Sequence, residues 1–257
     1  MIVALRFLRR RYGQDNYLYL LADGPDAALV DPGDPALARA AAAALGVHPR
    51  WILHTHGHAD HTGASQELRG ALGAEVLGHG ADGRWFAPDA DLAGRGALAL
   101  GALRLRVHHT PGHTPGSVLL EWEGKLLTGD TLFGMGCGHC RNGGDPARLA
   151  ASFLEVIAAL PGDLEVHPGH EYAARNLAFA LALEPGGPAA ARGQALQAAR
   201  AAGREPDAVR LHEERATNPF LRLGAPGVSA AIAREAPAAR TDVERFVALR
   251  ALRDRFP

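Results

Sequence analysis

The 257-residue sequence predicts an α/β fold that carries a helical tail. Three observations point there. Four apolar, strand-like segments (51–53, 103–107, 125–128 and 164–166) each run into a polar stretch holding histidine or aspartate beside glycine or proline. Ahead of them, short apolar runs separated by turn residues read as an antiparallel meander. Beyond Tyr172 the strand pattern stops and alanine-rich helical stretches replace it.

In chain order, residues 2–8 read as a first strand and Asp15-Asn16 as a turn. Residues 17–21 form a second strand, Asp23-Gly24-Pro25 turns the chain, and 27–30 form a third. Residues 35–45 read as a helix with Gly46 as its C-terminal cap. Strand 51–53 follows, then a histidine-rich loop, then a helix over 64–72 closed by Gly73. Residues 75–77 are a short strand and 81–95 irregular. Strands follow at 97–100, 103–107, 117–121 and 125–128, a helix at 146–160 and a strand at 164–166. Helices are expected at 173–183, 189–202, 207–215, within 226–236, and at 243–256. The last is announced by a capping box, Thr241 to Glu244. The change of character near Tyr172 predicts two parts, one over 1–171 and a helical one over 172–257.

Composition narrows the function classes. A net charge of −1 lacks the basic footprint of a nucleic-acid binder. No apolar run approaches the length of a membrane span. Residues 1–11 lack the long apolar segment of a signal peptide. The two cysteines, Cys137 and Cys140, are too few for a disulfide scaffold. A cytoplasmic enzyme acting on a small molecule is expected, with no nucleic-acid or membrane partner.

The chemistry concentrates in His54-Thr55-His56-Gly57-His58-Ala59-Asp60-His61. His56 and His58 flank a glycine, so a turn there aims both imidazoles at one point. Asp60 and His61 can aim at a second point nearby. Borderline metals such as zinc accept imidazole and carboxylate together. Later segments add His113, Asp130 and His170, each at the end of an apolar run. Seven candidate ligands suit two metals with one bridging carboxylate, and two such ions can generate hydroxide at neutral pH for attack on a carbonyl or phosphoryl centre.

His54–Gly63 resembles the T-H-x-H-x-D-H motif of the metallo-β-lactamase superfamily. Thr110-Pro111-Gly112-His113 and Thr128-Gly129-Asp130 match its later motifs. Asp15-Asn16-Tyr17, Gly136-Cys137-Gly138, Gly169-His170-Glu171-Tyr172 and Asn218-Pro219-Phe220-Leu221-Arg222 narrow the resemblance to glyoxalase II, the hydroxyacylglutathione hydrolases. That resemblance implies an αββα sandwich with a C-terminal helical domain. It implies His56, His58 and His113 on one metal, Asp60, His61 and His170 on the other, and Asp130 between them. Asp60 and Asp130 would act in hydrolysis. Two divalent ions per chain are implied, zinc first, with iron or manganese also compatible. A metal-bridging hydroxide would cleave the thioester of S-D-lactoylglutathione or a related 2-hydroxyacylglutathione.

Tyr172, Arg250 and Arg253 match family positions that bind glutathione. The family's basic and aromatic residues after Gly-Cys-Gly are here His139, Cys140 and Arg141, so the aromatic is absent. His139 and Arg141 remain candidate substrate contacts. Cys137-x-x-Cys140 offers a weaker redox or metal reading. The rivals are a mononuclear-iron persulfide dioxygenase, another ester or thioester hydrolase or a nuclease of the superfamily, and a non-catalytic metal-binding protein.

Overall fold

A computed structural model describes residues 5–257. It opens with β1 (Leu5–Tyr12), β2 (Asn16–Asp23) and β3 (Asp26–Val30), an antiparallel meander. Helix α1 (Pro35–Leu45) follows. The Asp34 side chain caps it by accepting from Leu37 N at 2.9 Å, proline starts it, and Gly46 ends it in the left-handed region. Strand β4 (Trp51–Leu53) lies parallel to β3. Short helices α2 (Ala59–Thr62) and α3 (Ser65–Leu72) lead to β5 (Glu75–Gly78) and β6 (Ala90–Asp91), which complete a six-stranded sheet in chain order.

A second sheet begins with β7 (Ala97–Leu100), β8 (Leu103–His109), β9 (Val118–Trp122) and β10 (Lys125–Gly129), all antiparallel. A two-stranded hairpin, β11 (Leu132–Phe133) and β12 (Gly136–Cys137), precedes α4 (Pro146–Ala151). Strand β13 (Glu165–Pro168) then pairs parallel with β10. The tail holds α5 (Ala173–Leu183), α6 (Ala189–Ala201), β14 (Val209–Arg210), α7 (Leu211–Thr217), α8 (Pro226–Glu235) and α9 (Asp242–Arg255). The second sheet runs β14-β13-β10-β9-β8-β7.

The alternation of β2 shows how the layers form. Tyr17, Tyr19 and Leu21 pack between the sheets against Leu98, Leu105, Leu120 and Leu127. Leu18 and Leu20 face the other way, onto Ala38 and Ala41 of α1 and Leu68 of α3. The outer face of the second sheet, with Leu119, Leu126 and Val166, packs on Leu149, Phe153, Phe179, Phe246 and Leu249. Helices, sheet, sheet and helices therefore make four layers, an αββα sandwich. Each fully buried leucine contributes about 1.5–3 kcal/mol to holding the layers together.

Three expectations change. The first strand extends to Tyr12, and its expected start at residues 2–4 lies outside the described residues. The helix expected over 146–160 is regular only to Ala151, then passes through a wider turn (Ser152–Val156) and a tighter one (Ile157–Ala159). The helix expected over 207–215 is replaced at its start by β14. Val209 and Arg210 pair with Val166 and Glu165, and α7 begins only at Leu211. Free backbone groups on the edge of β13 outweigh local helix preference there.

Candidate metal centre

Strand β4 delivers the chain to the site at His54, which is fully buried with Nε2 2.6 Å from Ser65 Oγ. Thr55 N and Oγ1 donate to the buried Asp31 carboxylate at 2.9 and 2.6 Å, so the strand end is pinned before the histidines begin. Gly57 N donates to Asp82 at 2.8 Å. Asp82 also accepts from Thr114 Oγ1 and Gly116 N at 2.7 Å each, tying the histidine loop to the loop that bears His113. Helix α2 starts after His58 and carries Asp60 and His61.

Three donor groups result, of which Asp31, His56 and His61 form a fully buried one that links the other two. His56, His58 and His113 each offer a donor atom within 4.8 Å of the others. His58 Nδ1 and His113 Nε2 are 3.0 Å apart. Asp60, His61 and His170 form the second triplet on the same criterion. His61 Nε2 is 3.1 Å from His170 Nε2 and 3.6 Å from Asp60 Oδ2. Asp130 lies between them. Its Oδ2 is 3.5 Å from His113 Nε2 and 3.3 Å from His170 Nε2, and its Oδ1 is 3.5 Å from His61 Nε2. Gly169 is required for this closeness, because a Cβ there would sit 2.4 Å from Asp130 Oδ1. The structure thus brings together all seven residues marked by the sequence.

Electrostatics differ across the site. Burial holds His56 well below the usual imidazole value, helped by the neighbouring His61. Burial likewise lowers His113 to about 4, against the opposing pull of Asp130. In the second triplet burial again works against the cation, yet Asp130 and Asp60 overcome it and push His170 up to about 12. His61 is raised, against burial, by Asp130 and Asp31. Burial opposes ionisation of Asp130, but the imidazoles of His170 and His61 hold it well below the carboxylate range. Asp60 is lowered, against burial, by His170 and His61.

His56 Nε2 and Asp130 Oδ1 are buried without a hydrogen-bond partner. Orphaned acceptors converging with further imidazoles fit a cation, and nitrogen with carboxylate oxygen fits a transition-type divalent ion. The rings are also oriented from behind. His113 Nδ1 donates to the His139 carbonyl at 2.7 Å, His170 Nδ1 donates to Asp15 at 2.8 Å, and His61 Nδ1 lies 3.2 Å from Asp31. Asn16 donates to Asp60 at 2.9 Å, and Tyr12 donates to the Asp60 carbonyl at 2.6 Å. Sequence reasoning missed Asp31, Asp82, Tyr12 and the orienting role of Asp15.

The residues marked for substrate sit around this centre in different states. The Tyr172 ring stacks on His170, centroids 4.8 Å apart. The His139 ring lies 5.4 Å from that of His113. Arg250 is only 6% exposed; it donates to the Cys137 carbonyl at 2.9 Å and pairs with Asp254 at 3.0 Å. Arg253 is half-buried and reaches Asn176 Oδ1 at 3.4 Å, whereas Arg141 is exposed and donates to the Asp254 carbonyl at 2.6 Å. Cys137 and Cys140 are free thiols, and burial pushes them up to about 11 and about 12, away from reactivity.

Residues 12–170 match the metallo-beta-lactamase superfamily, and residues 171–256 match the hydroxyacylglutathione hydrolase C-terminus. The chain belongs to the hydroxyacylglutathione hydrolases of the metallo-β-lactamase superfamily. It is 71% identical over 252 residues to the hydroxyacylglutathione hydrolase of Anaeromyxobacter dehalogenans, covering 97% of this chain and 99% of that one. Identity to the hydroxyacylglutathione hydrolase of Methylobacillus flagellatus is 42% over 245 residues, with 95% and 96% covered. Among solved structures, TTHA1623 in a di-iron-bound form superposes with a TM-score of 0.63 at 27% identity, covering 83% of this chain and all of that one. In a chain of this superfamily, the His and Asp clusters support the binding of divalent metal.

Proposed function

We propose that this protein hydrolyses the thioester of S-D-lactoylglutathione, or of a related 2-hydroxyacylglutathione, to the hydroxy acid and glutathione. The observation that carries this is the pair of donor triplets meeting at Asp130, on a chain whose tail matches the hydroxyacylglutathione hydrolase C-terminus. The match of residues 171–256 to the hydroxyacylglutathione hydrolase C-terminus favours the hydrolase over the mononuclear-iron dioxygenase and the nuclease.

We assign His56, His58 and His113 to one ion and Asp60, His61 and His170 to a second, with Asp130 shared. Zinc is the ion proposed, two per chain. Such ions supply Lewis acidity and acidify water toward a pKa near about 7. Asp130 and Asp60, held ionised by the surrounding imidazoles, would accept hydrogen bonds from a water molecule and align it on the thioester carbonyl. Asp31, Asp15 and the His139 carbonyl hold the imidazoles in the tautomer that turns a bare nitrogen inward. Tyr172, stacked on His170, lies where the peptide of the substrate would rest. The thiolate leaves unaided, since a thiol pKa near about 8.5 makes it a good leaving group.

Residues 1–171 would carry the chemistry and 172–257 the substrate contacts. The cytoplasm is the proposed compartment, in keeping with two free cysteines; among the described residues no helix is long and apolar enough to cross a membrane. Metal analysis paired with a thioesterase assay tests the assignment. Two equivalents of metal per chain and rapid hydrolysis of S-D-lactoylglutathione are expected. A metal-replete protein that leaves this thioester intact would overturn it.

A further inference from the structure

We propose that Arg84 and Trp85 form a second carboxylate-reading subsite, on the rim beside His58, which takes the γ-glutamyl arm of the glutathione thioester. The inference rests on the hydrolase function above.

Three observations carry it. The Trp85 indole stands edge-on to the His58 ring, centroids 5.2 Å apart and planes at 83°. It is wedged between the histidine loop and the loop at 139–144: a Cβ added at Gly57 would lie 3.0 Å from Trp85 Cε3, and one at Gly143 would lie 3.2 Å from Cζ2. The indole therefore borders the first triplet on the side away from His170 and Tyr172.

Arg84 lies on the face of that indole, its guanidinium carbon 3.7 Å from the ring centroid. It is exposed, and among the described residues no carboxylate comes within ion-pair distance of it. Its hydrogen bond is a long one, Nη2 to the Asn142 carbonyl at 3.4 Å; His58 Nε2 is 3.2 Å from the same oxygen. Gly143 makes room for this arrangement. It sits at φ +93°, and a Cβ there would fall 1.4 Å from Arg84 Nη2. The guanidinium is thus seated on an aromatic face with donors to spare, an arrangement preorganised for bidentate binding of a carboxylate.

Of the other arginines near the site, Arg175 stands over the Tyr172 ring at 5.9 Å on the tail side, and three more are engaged. Arg250 holds Cys137 and Asp254, Arg141 holds Asp254, and Arg253 contacts Asn176. Glutathione brings two carboxylates. With the reacting carbonyl at Asp130, the arm lying along Tyr172 and Arg175 takes one of them toward the tail. The opposite rim, where Arg84 stands, receives the other. The lactoyl group cannot occupy Arg84 in its place, because it is short and carries no carboxylate.

The test compares S-D-lactoylglutathione with N-acetyl-S-D-lactoylcysteinylglycine, which lacks the γ-glutamyl arm and whose capped amine blocks S-to-N acyl transfer, on the metal-loaded enzyme. Wild type should favour the full substrate through KM. Arg84→Ala should raise KM for S-D-lactoylglutathione about tenfold, the size of one solvent-facing charge-assisted contact, and so abolish the preference. Arg84→Lys should retain part of it. An equal rise for both substrates, or a preference that survives Arg84→Ala, would overturn the subsite while leaving the hydrolase standing. Wild type that cleaves neither thioester would overturn both.

Discussion

The two donor triplets are built from similar residues but supported differently. Behind the first, no carboxylate bonds a ring directly: the His139 carbonyl backs His113, the Thr55 hydroxyl lies 3.2 Å from His56 Nδ1, and the Asp82 carboxylate acts only through the loops. Behind the second are carboxylates on the rings themselves, Asp15 on His170 and Asp31 on His61, with Asp60 as a member. The consequence is a charge asymmetry. His56 and His113 are neutral at pH 7 without help, whereas His170 keeps its proton. Two ions placed here would therefore not be equivalent: one owes no proton to His56 or His113, the other must displace that of His170.

The sharpest way to break the comparison is to remove the residue common to both halves. Asp130→Ala should lower hydrolysis more than about 100-fold, since loss of outer partners alone costs about 10–100-fold. Bound metal per chain, measured alongside, should fall as well. A variant retaining near-wild-type rate would show that Asp130 joins nothing.

The second prediction sharpens the asymmetry by pH. With the folded, metal-free value of His170 near 12, uptake of an ion there expels at least one proton throughout the neutral range. Affinity of the weaker-held ion should fall about tenfold per pH unit on acidification, or about 100-fold from pH 8 to 6. The ion in the first triplet owes no such proton to His113 until the pH nears 4. Equilibrium dialysis at several pH values would read this, and parallel slopes for both ions would contradict it.

Smaller effects separate the supporting carboxylates. Asp15→Asn should weaken the second ion by about 10–100-fold and spare the first, read as a drop toward one bound ion at limiting metal. Asp82→Asn should act mainly on stability. It replaces an acceptor of three buried donors with a group that accepts at one end only, at a cost of about 1–3 kcal/mol. Urea denaturation of the metal-free protein would show it; an unchanged midpoint would mean that Asp82 is not a tie between the loops.

The donors were legible in the sequence because each ends an apolar run beside glycine or proline, a local pattern. Their supports were not. Asp31 bonds Thr55 across 24 residues, Asp82 reaches Gly57 across 25, and Asp15 reaches His170 across 155. A lone aspartate in a turn reads the same whether it is solvated or buried against a histidine. The opening meander followed from apolar runs and turn residues, the sandwich from the resemblance to the metallo-β-lactamase superfamily, and α1 from its alanine-rich run and closing glycine. Strand β14 did not, because what makes Val209-Arg210 a strand is the vacant edge of β13, which no local window contains.

That edge ties the tail to the catalytic layers. His170 lies just past β13, and β13 is sealed on its outer side by two residues from the tail. The same core cluster runs without a break from Leu119 and Val166 to Phe246 and Leu249. A chain cut after residue 171 would lose more than the substrate contacts proposed for the tail. It would present an unpaired strand edge and an uncovered apolar sheet face, the two features that most readily seed sheet-to-sheet association between molecules. The tail thus also protects the protein against self-assembly, and shortening it would be felt first as insolubility.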